Sequence, residues 1–307
     1  MTHWLVVGAG AAGCVVAARL SESPANEVTL LEAGPEHLER VGQVGSPVLD
    51  RPDRLAPGLE VIRRRGGTPE PYAAGFGLGG SSVVNPGVVV GDVTQASAGH
   101  SLPIVPVAPD DVGPVGRGVL DATPDAAAVA LVGRAGQRVS AADAYLTPDV
   151  RERVEVITDA AVRSLIIDGR RCVGAVANSG DVHSADRVVL CAGAVGTAEI
   201  LLRSAVDTPG IGEGLQDHAG VAMAFDLRQP VDPATPTITV TVERPDRQIV
   251  VIDRLAGVAG MGAMIAGRLA IASEGRVSLP DPADSPVIEL DQLAEASDVD
   301  GLAAVAT

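Results

Sequence analysis

Two glycine-rich loops hold the residues of this chain whose types and spacing point to chemistry. Gly8, Gly10 and Gly13 satisfy G-x-G-x-x-G, with Ala9, Ala11 and Ala12 as the small residues between them. A first glycine there permits a tight turn, a second lets backbone approach a pyrophosphate, and a third lets a helix pack closely on a strand. The helix that follows presents free N–H groups and a positive dipole end to the phosphates. Glu32 stands 19 residues beyond Gly13, where a carboxylate accepts hydrogen bonds from ribose hydroxyls and repels a 2′-phosphate. Together these predict a bound dinucleotide. The second loop, Gly79-Gly80-Ser81-Ser82 followed by Asn85, supplies consecutive small residues and backbone donors that can lie against a flat ring or a diphosphate.

The flanking elements fit that chemistry. Trp4–Val7 is a short apolar run that meets Gly8 abruptly, as a buried parallel strand does. Ala11–Leu20 reads as a helix of small residues and Glu27–Leu31 as a second strand, which completes a β-α-β unit. Further strands are expected over Arg153–Ile157, Ala161–Ile167, Cys172–Val176 and Asp186–Cys191, with Asp168-Gly169 as a hairpin turn. A helix is expected over Gly193–Ser204. Thr237–Val242 and Gln248–Ile252 suggest an antiparallel sheet with one wetter face. Pro35–Tyr72 and Ser97–Arg138 are rich in Pro and Gly and are expected to be irregular. The fold class is therefore α/β: a Rossmann-like domain with a parallel central sheet over residues 1–220, interrupted by an irregular segment at about 95–140, and a smaller, partly antiparallel domain over 221–307.

Composition narrows the function classes. The 307 residues are 46% hydrophobic but only 2% aromatic, so the core is built from Val, Leu, Ile and Ala, which suits strands buried on both faces. The formal net charge is −16, and all 23 cations are arginine. Such a surface repels nucleic-acid phosphates and anionic lipid. Cys14, Cys172 and Cys191 are widely spaced and read as small buried thiols in a reducing compartment, with no metal site. The apolar run between Arg254 and Arg268 is 13 residues, too short to span a bilayer. The first strand leaves no room for a signal peptide, so a cytoplasmic setting is expected.

The motifs, taken in order, resemble those of the glucose–methanol–choline (GMC) oxidoreductases. Gly75, Leu78, Gly79, Gly80, Ser81, Ser82, Val84 and Asn85 match the first signature of that family, with Phe76 in place of a polar or basic residue. Ser140–Leu146 is similar to its lead into the middle sheet. Gly193–Ser204 resembles the second signature, with Ala198, Ala205 and Asp207 as departures. Gly212–His218 resembles its Asn-Leu-Gln-Asp-His element with Gly214 for Asn, and Ser273–Val277 its Ser-Arg-Gly-x-Val element with Glu274 for Arg. The compact form is most similar to the GMC proteins of the mycofactocin system.

The resemblance implies FAD, a preference that the ending Glu32-Ala33-Gly34 also carries. It places the cofactor against Gly8, Gly10, Ala11, Ala12, Gly13, Glu32, Ala33, Gly79, Gly80, Ser81, Ser82, Asn85, the backbone of Val162, Ala192 and Gly193. It implies oxidation of a small alcohol, with hydride transfer to the flavin N5 and electrons passed on to oxygen, a quinone or a protein. The family's catalytic histidine lies in a C-terminal region that none of His3, His37, His100, His183 and His218 matches. The expectation is therefore a chain with no catalytic residue of its own and without that region, His218 being a hydrogen-bonded scaffold residue. Pro86–Asp92 has no aromatic residue to shield a flavin. A non-catalytic FAD-binding or interaction protein, and a nicotinamide-dependent dehydrogenase that uses only the first loop, are the alternatives.

Overall fold

The computed structural model describes residues 1–37, 45, 51–89, 102–134, 136–204, 206, 208–255, 258, 260–281 and 284–306. His100, Ala205 and Asp207 lie outside the described residues. The β-α-β unit is present as expected: strand β1 (Thr2–Val7), helix α1 (Ala11–Leu20) and strand β2 (Asn26–Leu31). A four-stranded parallel sheet runs in the order Val154–Ile157, β2, β1, Arg187–Leu190.

Both faces of this sheet are buried, and the alternation along β1 shows how. Val6 packs with Cys14, Ala17 and Ala18 of α1 and with Tyr145 and Leu146. Leu5 and Val7 point the other way, toward Ala160, Ala175 and Ile200. Small residues on α1 let it lie close to the sheet, and aliphatic side chains fill the remaining space. The short helix Ala141–Tyr145 beneath is fixed by a capping box: the Ser140 hydroxyl accepts from Asp143 N–H at 3.1 Å, and the Asp143 carboxylate accepts from Ser140 N–H at 2.9 Å.

The expected hairpin appears as Val162–Asp168 and Arg171–Ala177, extended by Val182–Ser184. A five-stranded antiparallel sheet follows the order Gly220–Asp226, Met261–Arg268, Arg247–Ile252, Ile238–Arg244, Ala126–Ala128. The fold is thus mixed α/β, a parallel sheet with antiparallel sheets beside it.

Two expectations fail here. Residues 102–134 and 136–138 are not irregular: they hold the helix Pro114–Ala122 and strands at Ile104–Pro106, Ala126–Ala128, Ala130–Arg134 and Gln137–Arg138. Gly113 caps that helix and Pro114 occupies its first turn, a start that proline suits. The strand Ile238–Arg244 also has no wetter face, since Thr237, Thr239 and Thr241 are 3%, 0% and 4% exposed. Polar side chains survive there because Asp253, itself 0% exposed, accepts from the Thr239 hydroxyl and from the N–H groups of Val115 and Gly116, both at 2.9 Å. No helix among the described residues is long and apolar enough to cross a membrane; Leu255–Ala272 instead contains the strand Met261–Arg268.

Candidate cofactor-binding site

β1 ends at Val7, and Gly8 turns the chain with φ +96°; a Cβ on it would stand 2.6 Å from the Cys191 carbonyl oxygen. Gly13 lies in α1 where a Cβ would meet the Gly8 carbonyl oxygen at 1.8 Å. These two glycines are required by packing within the chain. Gly10 differs: a Cβ there would meet nothing within 4 Å, because Gly10 faces a cavity.

That cavity measures about 1160 Å³, above the roughly 300–1,000 Å³ of ordinary small-molecule pockets. Gly8, Gly10, Ala11, Ala12, Glu32, Ala33, Gly80, Ser81, Val162, Ala192 and Gly193 all line it. The remaining four expected residues do not. Gly13 and Gly79 sit behind the wall. Ser82 donates its hydroxyl to the Gly79 carbonyl at 2.5 Å and accepts from Ala141 N–H at 2.9 Å, so it anchors the loop. Asn85 turns its Oδ1 to Gly87 N–H at 3.0 Å.

Two helix N-termini open on the cavity. α1 begins after Gly10, and the helix Gly193–Arg203 begins after Ala192; neither cap residue makes a side-chain hydrogen bond, and neither first turn carries an acid. First-turn N–H groups are thus free for an anion, and the helix dipoles favour one. Glu32 is 7% exposed. Its Oε2 accepts from Ala9 N–H at 2.8 Å and its Oε1 from Gly34 N–H at 3.0 Å. Burial pushes its carboxyl pKa up, and the backbone N–H bonds pull against that rise. An oxygen holding one such bond retains a lone pair for a ligand hydroxyl.

The second loop is bonded to the first. Gly79 N–H donates to the Ala9 carbonyl at 2.8 Å, and a Cβ on Gly80 would stand 2.8 Å from the Gly10 Cα. Gly79 and Gly80 take φ of +98° and +52°, which non-glycine residues rarely adopt. Ser81 Oγ accepts from Gly75 N–H at 3.0 Å and closes the turn.

Several lining residues carry no local sequence signal. Tyr72 lies at the wall, with its hydroxyl donating to Asp217 Oδ2 at 3.4 Å; burial and the Asp217 charge raise its pKa. Cys191, Arg163 and Asn178 also face the cavity. Phe76, noted only as a departure from the resemblance, lines it too. The thiols are less uniform than expected: Cys14 is buried, whereas Cys172 and Cys191 are half-buried. Contrary to the expected scaffold role, His218 has no hydrogen-bond partner among the described residues. Its side chain is 65% exposed, and its Nδ1 stands 4.0 Å from Asp217 Oδ1. Among the described residues no group of His, Cys, Asp and Glu could hold a metal.

The fold is of the doubly wound α/β kind, and the cavity lies where such folds take a ligand, beyond the carboxyl ends of the parallel strands. The GMC oxidoreductase family model matches residues 119–220, and a ketopantoate reductase (PanE/ApbA) model matches residues 4–57. The chain is 29% identical to an uncharacterised GMC-type oxidoreductase of Rhodococcus erythropolis over 96% of its own length and 76% of that protein. It is 27% identical to the oxygen-dependent choline dehydrogenase of Xanthomonas campestris over 74% of its length, and spans 55% of that relative. The fold is similar to that of pyridoxine 4-oxidase from Mesorbium loti, with a TM-score of 0.82 at 23% identity, covering 100% of this chain and 80% of the other. In sequence and in fold the chain is thus similar to GMC oxidoreductases.

Proposed function

We propose that this protein is an FAD-dependent oxidoreductase that takes a hydride from the CH–OH group of a small alcohol. One observation carries it: two glycine loops, two uncapped helix N-termini and the Glu32 carboxylate converge on one cavity. The relatives support the substrate class, since choline and pyridoxine, the compounds in their names, are alcohols.

Within that proposal the chain's residues have separate tasks. Gly8 and Gly10 let the backbone approach the diphosphate, and the N–H groups of Ala11, Ala12 and Gly193 face its charge. Glu32 accepts from ribose hydroxyls. The Val162 backbone meets the adenine edge, and Gly80 and Ser81 close over the far side. A bound flavin supplies the hydride-accepting N5, and the protein supplies orientation and electrostatics. No residue of the chain is assigned as the base. The division at residue 220, a cytoplasmic setting and the mycofactocin-associated branch belong to the same proposal and rest on the sequence alone.

Purified protein should carry a visible flavin spectrum and release FAD on denaturation. Anaerobic addition of a panel of small alcohols should bleach the visible band. Protein with FAD that no alcohol bleaches would leave a binding function without the oxidation. A nicotinamide nucleotide in place of flavin would overturn the proposal.

A further inference from the structure

The cavity has an end that the glycine loops do not explain. Beside Glu32 the chain turns back, with Ala160 N–H donating to the Glu32 carbonyl at 2.8 Å. Residues 160–163 therefore form the wall next to the carboxylate expected to hold the adenosine ribose, and Asn178 joins them. The adenine of any dinucleotide whose ribose meets Glu32 must lie against this wall.

The strand there is bulged. Val162 pairs with Ala177, yet the next pair is Ser164 with Val176, so two residues oppose one and Arg163 is the extra one. Bulges next to active sites re-aim a side chain. Arg163 is exposed and lines the cavity. It has no ion-pair partner among the described residues. The wall formed by residues 160–163 and Asn178 holds no aromatic side chain; the aromatic lining residues, Tyr72 and Phe76, come from the segment before the second loop. A planar guanidinium stacks on flat π systems and binds their faces as a cation.

We propose that Arg163, turned into the cavity by this bulge, covers one face of the adenine ring of the bound dinucleotide. The inference rests on the dinucleotide reading above. It adds a specificity element: the site selects an adenine-bearing flavin over one that lacks the base. Glu32 disfavours a second role for Arg163, the capture of a 2′-phosphate, because a buried carboxylate beside the ribose repels that group.

The test is fluorescence titration of apoprotein with FAD and with FMN, which has no adenine. Arg163→Ala should weaken FAD about 3- to 30-fold and leave FMN unchanged. Arg163→Trp, which keeps a flat stacking surface without charge, should restore FAD binding, and Arg163→Lys should restore it less. Arg163 is exposed, so Arg163→Ala should fold normally, and the FAD-to-FMN comparison stands even where the Trp variant does not fold. Equal loss for FAD and FMN, or full rescue by Lys with none by Trp, overturns the proposal in favour of charge attraction to the phosphates. Tighter binding of 2′,5′-ADP than of ADP, abolished in Arg163→Ala, also overturns it. Unaltered FAD affinity in Arg163→Ala sinks this proposal alone, whereas wild-type protein that binds no FAD sinks the functional reading with it.

Discussion

Gly79 donates its backbone N–H to the carbonyl of Ala9 at 2.8 Å. This bond ties the second glycine loop to the first, across 70 positions of sequence. Gly80 then sits on Gly10, where a side chain would stand 2.8 Å from the Gly10 Cα. The two loops are one surface built from two segments, and each glycine in it answers a different constraint.

Gly13→Ala and Gly10→Ala separate those constraints. The new methyl at Gly13 would stand 1.8 Å from the Gly8 carbonyl oxygen, and overpacking of this kind costs about 1–3 kcal/mol or more. The denaturant midpoint should fall and little folded protein should be recovered. At Gly10 the methyl meets nothing, so the apoprotein should lose under ~1 kcal/mol, the order of replacing Gly by Ala at a helix N-cap. FAD affinity should nevertheless drop by about ten-fold or more, since the methyl occupies the space left for a close backbone approach. Equal FAD binding by Gly10→Ala and wild type would show that the ligand does not approach this backbone.

Glu32→Gln tests the carboxylate. Two backbone donors, Ala9 N–H and Gly34 N–H, converge on its two oxygens. A carboxamide replaces one acceptor with a donor, so one buried N–H loses its partner and faces another N–H, at about 1–3 kcal/mol. Unfolding of the apoprotein should shift by that amount. The same substitution should weaken FAD and reduce discrimination against 2′-phosphorylated nucleotides. A change in stability with no change in nucleotide selectivity would confine Glu32 to a structural role.

How much of this was legible depends on whether the signal was local. β1, α1 and β2 were readable almost to the residue, because an apolar run, glycine punctuation and a run of small residues each act over a few positions. The helix Pro114–Ala122 was not. Its Gly113-Pro114 start resembles a breaker until Asp253, 137 residues from Gly116, supplies the acceptor for its first N–H groups. The strand Met261–Arg268 is rich in Gly and Ala and has no alternation to read; pairing on both edges, with Gly220–Asp226 and Arg247–Ile252, makes it a strand. In the site, glycines and Glu32 were visible from spacing, whereas Arg163 depends on a bulge in register and Cys191 on the close approach of Gly8. Asn85 matched by sequence, yet its side chain bonds to Gly87 and stays off the cavity wall.

Asp253→Ala should be among the costliest single changes outside the cavity. It would strip the acceptor from Val115 N–H, Gly116 N–H and the Thr239 hydroxyl at a position with 0% exposure. Unsatisfied buried donors at about 1–3 kcal/mol each give a loss of at least ~3 kcal/mol. Asp253→Asn keeps one acceptor and should lose less. Chemical denaturation would measure both, and equal stability of Asp253→Ala and wild type would refute the capping role.

Cys14 gives a pH dependence whose sign follows from its surroundings. The thiol is fully buried beneath the first glycine loop and donates to the Ala9 carbonyl at 3.2 Å. Burial, with the Glu32 charge adding, pushes its pKa from 9.0 up to about 12. Below pH 9 the thiol is protonated in both folded and unfolded chains, and it adds nothing to the slope of stability with pH. Between 9 and about 12 the unfolded chain releases the proton and the folded chain keeps it, so stability falls as pH rises, by at most about 1.4 kcal/mol per pH unit. Urea midpoints at pH 8 and pH 10.5 should therefore differ more for wild type than for Cys14→Ala, which lacks the titrating group. Folded protein should also leave Cys14 unmodified by iodoacetamide at pH 8, while Cys191, half-buried at the cavity wall, should react faster in the apoprotein than with FAD bound. Identical pH slopes for wild type and Cys14→Ala would show that the thiol ionises as freely folded as unfolded.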